Sequence, residues 1–472
     1  MKILLIQPRR LGIGFRSLMP IEPLGLEMLA GALKGHEVKI LDFMDLDEIV
    51  AEATNFEPDM CGISCSFTVD LDNTLAISRK LKSRLNDPLV FVGGHHAATN
   101  PHHFKDYSID AIALGEGEEI VKELTDVYEG GGHLENILGI AYNVNQSGAT
   151  KQYVTDSRPL IQNLDLLPSP RRDLVSKYRK HYYLGLRRPV YALETARGCP
   201  YKCKFCSVWQ FYRSSYRMKS ARRVFEEIVE IPGETILITD DNFFANIQRA
   251  YKIGEMLKEA GVKKYFSIQA RSDDIFSNLE LLDLWREVGL SSVFIGFEQI
   301  DQKGLNDLEK RNTIKNNELA LYELRKRGMG VTSSFIVDPS YDEKDFETML
   351  NYIKAKGVKT PSYSILTPLP GTVLYEEVKD RIITEECHLY DLLHTVLPTK
   401  LPLDKFYEEF AKLWKKTYMN GIKKPNLKSI KDVISTPSLW FHSLKLINCM
   451  NRFFKSKNYL KSHDYREHFN RS

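Results

Sequence analysis

The chain has 472 residues, of which 43% are hydrophobic and 27% are charged, and these proportions are ordinary for a folded protein of two or more domains. The net charge of +3 is too small to indicate nucleic-acid binding by itself, so we expect no nucleic-acid partner. Seven cysteines, an odd number, favour a reducing compartment over a disulfide framework. With only a short apolar run before Pro8 and no apolar run of about 18 residues, we expect a cytoplasmic chain without signal peptide or membrane span.

Residues 1–140 alternate short apolar strands with helical segments, which predicts a Rossmann-like, doubly wound α/β domain. The predicted strands are residues 2–6, 37–41, 60–64, 89–92 and 111–114. Such a sheet binds ligands at the carboxyl ends of its strands. Glycines there either let a large flat ligand approach the backbone or only form tight turns, and both interpretations stay open. The residues at those ends are Ser64, Gly93, Gly94, His95, Gly115, Glu116 and Gly117.

Residues 141–188 differ in character and are predicted to be a linker. Residues 143–155 are polar, have a turn residue at Gly148, and are typical of a hairpin. Residues 164–172 form a connector that is interrupted by prolines. We assign no chemistry to this stretch.

Strands and helices alternate again over residues 189–375, with longer helices than before. The predicted strands are residues 190–195, 235–239, 265–269, 292–297, 331–337 and 361–366. A second parallel α/β domain follows from this pattern, and its functional side chains are expected at the carboxyl ends of the strands.

Cys199, Cys203 and Cys206 follow the first of these strands with Cys-x3-Cys-x2-Cys spacing. A short loop with this spacing can wrap three thiolates around one face of a cubane iron–sulfur cluster and leave one iron without a protein ligand. Ferredoxin clusters and structural zinc sites usually have a fourth ligand close by, and no fourth cysteine is near. The alternatives are a chance grouping of cysteines and a zinc site completed by a distant residue.

The segment 197–209, with Phe205 directly before the last cysteine, resembles the signature of the radical S-adenosylmethionine (SAM) enzymes. The resemblance implies a partial (β/α)6 barrel and a 4Fe–4S cluster whose open iron binds SAM, which is cleaved to a 5′-deoxyadenosyl radical. It also implies that polar residues at strand ends hold SAM, although helix capping or a solvated surface would equally explain each of them. These are Asp240, Asp241 and Asn242 for the amino group, Arg271 for the carboxylate and Glu298 for the ribose hydroxyls.

The N-terminal domain resembles the cobalamin-binding domains that precede radical SAM domains. The resemblance rests on Pro-x-Gly-Leu (residues 23–26), Val-Gly-Gly-x-His (residues 92–96) and Gly-Glu-Gly-Glu (residues 115–118). One departure is that the loop at residues 8–16 contains no histidine. We therefore expect cobalamin without a histidine ligand on its lower face. His95 and His96 are candidate corrin contacts, or else capped loop residues.

Residues 376–472 are predicted to be helical, and Asp391, His394 and Thr395 are placed where they could cap the barrel mouth. The end of the chain mixes basic and apolar residues, which is typical either of a helix at a membrane interface or of one that packs on its own protein. Cys61, Cys65, Cys387 and Cys449 are interpreted as inert thiols. The residues of the basic amphipathic tail include Lys424, Lys428, Lys431, Lys445, Leu439, Trp440, Phe441, Leu444, Ile447 and Phe453.

Together the two resemblances imply a methyltransferase that adds a methyl group from methylcobalamin to an unactivated carbon. Four segments resemble the hopanoid C-3 methylases more narrowly and imply a polycyclic lipid substrate. An external donor of the flavodoxin or ferredoxin type would supply electrons. A cobalamin-dependent enzyme without methyl transfer, such as an oxidative cyclase, and a carrier that only binds the cofactors are the alternatives. The four segments are residues 194–199, 269–273, 334–339 and 366–372.

Overall fold

A computed structural model describes residues 1–9, 14, 19–146, 148–421 and 437–463. The N-terminal sheet has seven strands in the order β2-β1-β3-β4-β5-β6-β7. Strands β1 to β5 are parallel, and the order reverses at β1, which creates a topological switch point beside it. The strands are β1 (Lys2–Ile6), β2 (Glu37–Leu41), β3 (Met60–Ser64), β4 (Leu89–Gly93), β5 (Ala111–Ala113), β6 (Ile140–Gln146) and β7 (Ala149–Val154).

Both faces of this sheet are covered by helices. In β1, Ile3 and Leu5 enter one apolar core whereas Leu4 and Ile6 enter another, because successive side chains of a strand point to opposite faces. Helices α1 and α5 cover the first face, and α2 and α3 cover the second. The predicted doubly wound fold is thus confirmed. The helices are α1 (Leu24–Ala32), α2 (Leu46–Phe56), α3 (Leu71–Arg84), the short α4 (His95–Thr99) and α5 (Gly117–Gly130).

The hairpin predicted within the linker is instead part of the first sheet. Strand β6 pairs antiparallel with β5, and β7 pairs with β6. A polar hairpin can occupy this position because an edge strand keeps one side in solvent. The first sheet therefore extends to Val154, beyond the predicted boundary at residue 140.

The rest of the connecting segment joins the two domains. A 3-10 helical stretch, Arg172–His181, inserts Val175 and Tyr178 into the core of the first sheet. The same core contains Val190 and Leu237 from the second sheet. The two domains consequently share a continuous apolar core.

The second sheet has six parallel strands in the order β8-β11-β12-β13-β14-β15. Sequential parallel strands joined by helices form the predicted (β/α)6 arrangement, and within the described sheet β8 and β15 are the two edges, as in a partial barrel. The short strands β9 and β10 pair antiparallel beside it. The strands are β8 (Val190–Leu193), β9 (Ala196–Arg197), β10 (Arg217–Met218), β11 (Thr235–Ile238), β12 (Tyr265–Gln269), β13 (Leu290–Glu298), β14 (Gly330–Val337) and β15 (Thr360–Ile365).

The helices of the second domain begin at side-chain caps in several cases. Asp342 and Asp345 form a capping box at the start of α13, which satisfies backbone N–H groups that the helix leaves open. The helices are α6 (Val208–Phe211), α7 (Ala221–Glu230), α8 (Ile247–Glu259), α9 (Ser272–Phe276), α10 (Leu279–Val288), α11 (Gln302–Asp307), α12 (Ile314–Lys326), α13 (Glu343–Ala355) and α14 (Val373–Val378).

The C-terminal region is helical, as predicted. Helices α15 (Leu403–Gly421), α16 (Pro437–Phe453) and α17 (Ser456–His463) pack on the barrel through Phe406, Trp414, Phe453 and Tyr459. None of the described helices is both long and apolar enough to cross a bilayer. Lys424, Lys428 and Lys431 lie outside the described residues, as do the side chains of Leu439, Trp440 and Phe441.

Candidate active site

The three cysteines lie on the loop between β9 and α6, at the carboxyl end of β8. The loop begins at Gly198, which has a φ of +90°. A Cβ added there would lie 2.1 Å from the Ser215 carbonyl oxygen, so only glycine fits this position. The carbonyl of Cys203 accepts hydrogen bonds from the Cys206 amide and the Trp209 indole, both at 3.1 Å. These bonds fix the turn between the second and third thiols.

The thiols lie in surroundings that disfavour uncompensated negative charge. Burial raises the pKa of Cys206 to about 12 and raises the pKa of Cys199 and of Cys203, and for Cys199 and Cys206 the neighbouring thiols and Asp241 act in the same direction. No three metal-ligating side chains converge on one point among the described residues. The fit to a 4Fe–4S cluster rests on the donor set: three thiols on one loop, for which a cationic cluster supplies the compensating charge.

Asp240 holds the strand that leads into this loop. Its carboxylate accepts hydrogen bonds from the Thr195 amide at 2.6 Å, the Ala196 amide at 3.1 Å and the Thr195 hydroxyl. Arg249 donates to the Thr195 carbonyl at 2.8 Å and to its hydroxyl oxygen at 3.0 Å. Both oxygens of Asp240 are thus engaged inside the protein.

Asp241 and Asn242 differ in their surroundings. Asp241 is solvent-exposed, yet desolvation by the surrounding protein, with the charges of Asp240 and Glu194, raises its pKa to about 7. This combination is expected of a carboxylate on a concave surface. Asn242 is fully buried, donates to Asp274 at 2.7 Å and accepts from the Arg271 amide at 3.3 Å. Of the predicted Asp-Asp-Asn set, only Asp241 keeps a carboxylate open toward the cluster loop.

Arg271, at the end of β12, is buried and contacts the cluster loop. Its guanidinium donates two bonds to Asp273, each of 3.0 Å, and one each to the carbonyls of Lys310 and Arg311 at 3.0 and 2.8 Å. The same group lies 3.6 Å from the centroid of the Tyr201 ring. Tyr201, between Cys199 and Cys203, was not singled out from the sequence.

Glu298 ends β13 at a bulge in the pairing with β14 and has a φ of +63°. Its carboxylate accepts a hydrogen bond of 2.7 Å from the buried ammonium group of Lys310. Both groups act on Cys203: the charge of Lys310 lowers its pKa and that of Glu298 raises it. Lys310 was missed because it lies in a charged stretch, residues 309–311, without a recognisable motif.

The predicted glycines at the edge of the first sheet have different roles. Gly94 has a φ of +109°, and an added Cβ would lie 2.8 Å from the Cys65 carbonyl carbon, so the turn itself requires glycine. Gly117 differs, since an added Cβ would meet only the end of the Leu29 side chain, at 2.9 Å. At Gly115 an added Cβ would meet nothing within 4 Å, and at Gly93 its nearest neighbour would be the Cβ of Ala113 at 3.6 Å. Their accessible backbone fits a flat ligand such as cobalamin at this edge.

Ser64 lies at the same edge, with its hydroxyl 3.5 Å from that of Ser66. Most of the loop after β1, whose lack of histidine was noted, lies outside the described residues. The structure therefore describes three of the strand ends that would surround the ligand: those of β3, β4 and β5.

His95 reaches from the first domain to the cluster loop. Its ring stacks on Phe211, with centroids 4.5 Å apart and an interplanar angle of 19°, and forms a hydrogen bond with the backbone of Ser207. Burial lowers its pKa to about 4, and its Nε2 has no hydrogen-bond partner among the described residues. By contrast, His96 is enclosed between Thr68 and His103, at 3.1 Å from each.

Glu116 and Glu118 also contact the second domain. Arg197 pairs with Glu118 and, at 2.7 Å, with Glu116. Arg217 pairs with Glu116 at 2.9 Å, and the Ile161 amide donates to the same carboxylate at 2.7 Å. The charges are buried at the domain interface.

The loop after β4 faces the barrel opening. Asn100 donates to the Pro370 carbonyl at 3.3 Å, and a Cβ at Gly371 would lie 3.1 Å from Thr99. The carboxyl edge of the first sheet thus contacts both the cluster loop and the loop after β15, so the two cofactor sites expected from the sequence lie on one interface.

Asp391 and His394 form a pair in the segment that follows α14 and contacts the end of β15. Both carboxylate oxygens of Asp391 lie 2.9 Å from His394 Nδ1, and Thr395 donates its amide to the Tyr407 hydroxyl at 2.9 Å. The ring of His394 lies among those of Tyr407, Tyr459 and His463, which belong to the C-terminal helices.

The described side chains of α16 include some that pack on the rest of the protein and some that are exposed. Phe453 is buried in the barrel core, and His442 lies 2.9 Å from the Gly185 carbonyl. Leu444 and Ile447 remain 40% and 54% exposed.

Comparison with known proteins supports both domains. Residues 12–125 match the family described as "B12 binding domain", and residues 193–353 match the family described as "Radical SAM superfamily". The hopanoid C-3 methylase of Methylococcus capsulatus is 32% identical over 419 residues, which cover 87% of this chain and 79% of that protein. An anaerobic magnesium-protoporphyrin IX monomethyl ester cyclase of Rubrivivax gelatinosus is 25% identical over 442 residues, 89% of this chain and 78% of that protein.

A solved structure of the cobalamin-dependent SAM radical enzyme OxsB with aqua-cobalamin bound has the same fold, with a TM-score of 0.68 and 17% identity. The superposition covers 98% of this chain and 75% of the OxsB chain.

The matched domains define the cofactors: a 4Fe–4S cluster and SAM for the radical SAM domain, and cobalamin for the B12-binding domain. The substrate of such an enzyme is a small molecule. The extent of the match to the methylase, over 87% of this chain, decides the assignment. The chain belongs to the cobalamin-dependent radical SAM methyltransferase family that includes the hopanoid C-3 methylase.

Proposed function

We propose that this enzyme methylates an unactivated carbon of a hopanoid or a closely related polycyclic lipid. The observation that carries the proposal is the 32% identity to the hopanoid C-3 methylase across 87% of this chain. The segments 194–199, 269–273, 334–339 and 366–372, on which the narrower resemblance rests, all follow or end barrel strands and so line the end where barrel enzymes bind substrate.

Cys199, Cys203 and Cys206 would hold the cluster, and the edge at Gly93 and Gly115 would receive cobalamin. When bound, these groups supply one-electron cleavage of SAM and a transferable methyl group. The protein contributes position. Asp240 and Arg249 fix the backbone at Thr195, which anchors the segment that leads into the loop of the thiols.

Asp241 is the predicted SAM-binding residue whose carboxylate stays open beside the thiols, and we assign it to the SAM ammonium group. Desolvation, together with the charges of Asp240 and Glu194, raises its pKa to about 7, and no cation among the described residues forms an ion pair with it. An ammonium group bound there would supply such a cation. Arg271 and Glu298 support this site indirectly, since both are engaged with neighbouring protein groups.

The electrons would come from a separate donor of the flavodoxin or ferredoxin type. Any membrane contact would involve the exposed Leu444 and Ile447, with Lys445 between them. Binding to vesicles containing about one-third anionic lipid, compared between the wild type and Ile447→Glu, tests that contact.

The substrate is tested in cells. Lipids from a strain lacking the gene are compared with those of strains that carry the wild type or Cys203→Ala, grown with methyl-labelled methionine. A labelled polycyclic lipid, heavier than its precursor by one methyl group (about 14 mass units net) plus the mass of the label, should occur only with the wild type. A gene-dependent lipid of altered mass without the label would instead indicate an oxidative or ring-forming reaction, and an unchanged polycyclic lipid fraction would contradict the lipid proposal.

A further inference from the structure

We infer that the cobalamin domain positions the cluster loop by holding it at both ends, with Glu116 and Glu118 before the first thiol and His95 behind the last. The inference concerns the contact between the two domains, and it stands whatever the substrate proves to be. It gives a role to the side chains of two turn motifs that the proposed function leaves without one.

The first contact is ionic. Arg197, two residues before Cys199, is buried, and its guanidinium is shared among Glu116 at 2.7 Å, Glu118 and Glu194 at 2.8 Å. Glu116 is the N-cap of α5, directly after β5 in the other domain, and Glu118 lies in the first turn of that helix. A buried, multiply bonded ion pair of this kind fixes orientation because no water can replace its partners.

The second contact is aromatic and polar. His95, in the turn after β4, forms a hydrogen bond with the backbone of Ser207, which follows Cys206 directly. Its ring stacks on Phe211 at 4.5 Å, in the helix that the loop enters. The stack holds the start of α6, and with it the third thiol.

The turns after β4 and β5 also flank the open backbone of Gly93 and Gly115, where cobalamin fits. A ligand between these turns therefore contacts the same backbone segments that orient Arg197 and Ser207. Such coupling is reciprocal: if cobalamin affects the loop, cluster loading affects cobalamin affinity by the same factor.

Thiol reactivity tests the inference without turnover. The full chain, prepared without cluster, is treated briefly with iodoacetamide, and the alkylation of each cysteine is measured by peptide mass spectrometry. The variants are Glu118→Gln and His95→Phe, which keep side-chain size or ring stacking. Asp110→Asn is the matched control, because Asp110 pairs with Lys82 at 2.9 Å within the cobalamin domain, away from the loop.

We expect Glu118→Gln to speed alkylation at Cys199, and His95→Phe to speed it at Cys206, each by at least about fivefold, the lower range of coupling between sites. The fully buried Cys61 reports global opening and should stay unreactive in both variants. In Asp110→Asn, the alkylation of every cysteine should match that of the wild type. Wild-type rates at Cys199 and Cys206 in both variants would overturn the inference, and so would equal acceleration at Cys61.

Arg197→Lys is a second variant in case Glu118→Gln does not fold. It retains the charge but loses the forked geometry, so Cys199 should again react faster than in the wild type.

In the reconstituted chain, the EPR spectrum of the reduced cluster should change in Glu118→Gln and His95→Phe and stay unchanged in Asp110→Asn. An unchanged spectrum in both loop variants would count against the inference.

Discussion

The guanidinium of Arg271 lies 3.6 Å above the ring of Tyr201, which joins the end of β12 to the middle of the cluster loop. Its hydrogen bonds to Asp273 and to the carbonyls of Lys310 and Arg311 engage four of the five N–H donors that an arginine has. Little capacity is left for a forked bond to the SAM carboxylate. The contact makes Arg271 a support of the loop.

Arg271→Lys should therefore reduce the iron content of the reconstituted chain. The chains that retain a cluster should bind SAM with little loss of affinity. Lysine keeps the charge but cannot stack on Tyr201 and bond three partners in one plane. Iron per chain and the dissociation constant of SAM are the two measurements. Full iron content with a loss of SAM affinity above about tenfold, equivalent to about 1.4 kcal/mol, would instead support a direct contact to SAM.

Lys310→Met should destabilise the chain by about 3–5 kcal/mol, because it leaves the carboxylate of Glu298 buried without its partner. The measurement is the free energy of unfolding in urea, on chain without cofactors. The double variant Lys310→Met with Glu298→Gln removes both charges and should regain much of the loss. Wild-type stability in Lys310→Met alone would show that the pair contributes little.

The strands of both domains could be predicted from the sequence because their signals are local. Apolar runs such as Lys2–Ile6 and Tyr265–Gln269 are bounded by turn residues, and they fold as predicted. The hairpin Ile140–Gln146 and Ala149–Val154 was recognised as well, but its attachment to β5 depends on a ladder with a distant strand. No local pattern determines that pairing.

The candidate site was predictable only at the level of motifs. The thiol spacing and the strand-end residues are visible in the sequence, whereas side-chain partners are decided by tertiary packing. Glu116 thus has the position of a ligand contact but pairs with Arg197, which is 81 residues away. Lys310 and Tyr201 carry no recognisable pattern, since each acquires its role from Glu298 or Arg271 in the folded chain.

Cys203→Ala should abolish cluster binding and activity, because the two thiols that remain in the loop cannot hold a cluster that needs three. The absorbance of the reconstituted cluster and the formation of 5′-deoxyadenosine from SAM are the measurements. Cys65→Ala is the matched control, a fully buried cysteine in the first domain, and should keep both properties. Cleavage of SAM by Cys203→Ala at the wild-type rate would contradict the assignment of the loop.

Glu27→Gln should stabilise the chain at pH 8 but not at pH 5. Glu27 is fully buried, neither carboxylate oxygen has a hydrogen-bond partner among the described residues, and burial together with the charge of Glu22 raises its pKa to about 8. The folded chain keeps a proton that the unfolded chain loses above a pH of about 4.3, so stability falls as the pH rises toward 8. Glutamine mimics the protonated form and should remove a loss of roughly 2–4 kcal/mol at pH 8. Unfolding in urea at pH 5 and pH 8 measures the difference.

Glu22→Gln is the control and should destabilise the chain at both pH values, because Glu22 accepts hydrogen bonds from Arg172, from Arg179 and, at 2.7 Å, from the Ala192 amide. Equal effects of Glu27→Gln at the two pH values would mean that Glu27 is ionised in the folded chain.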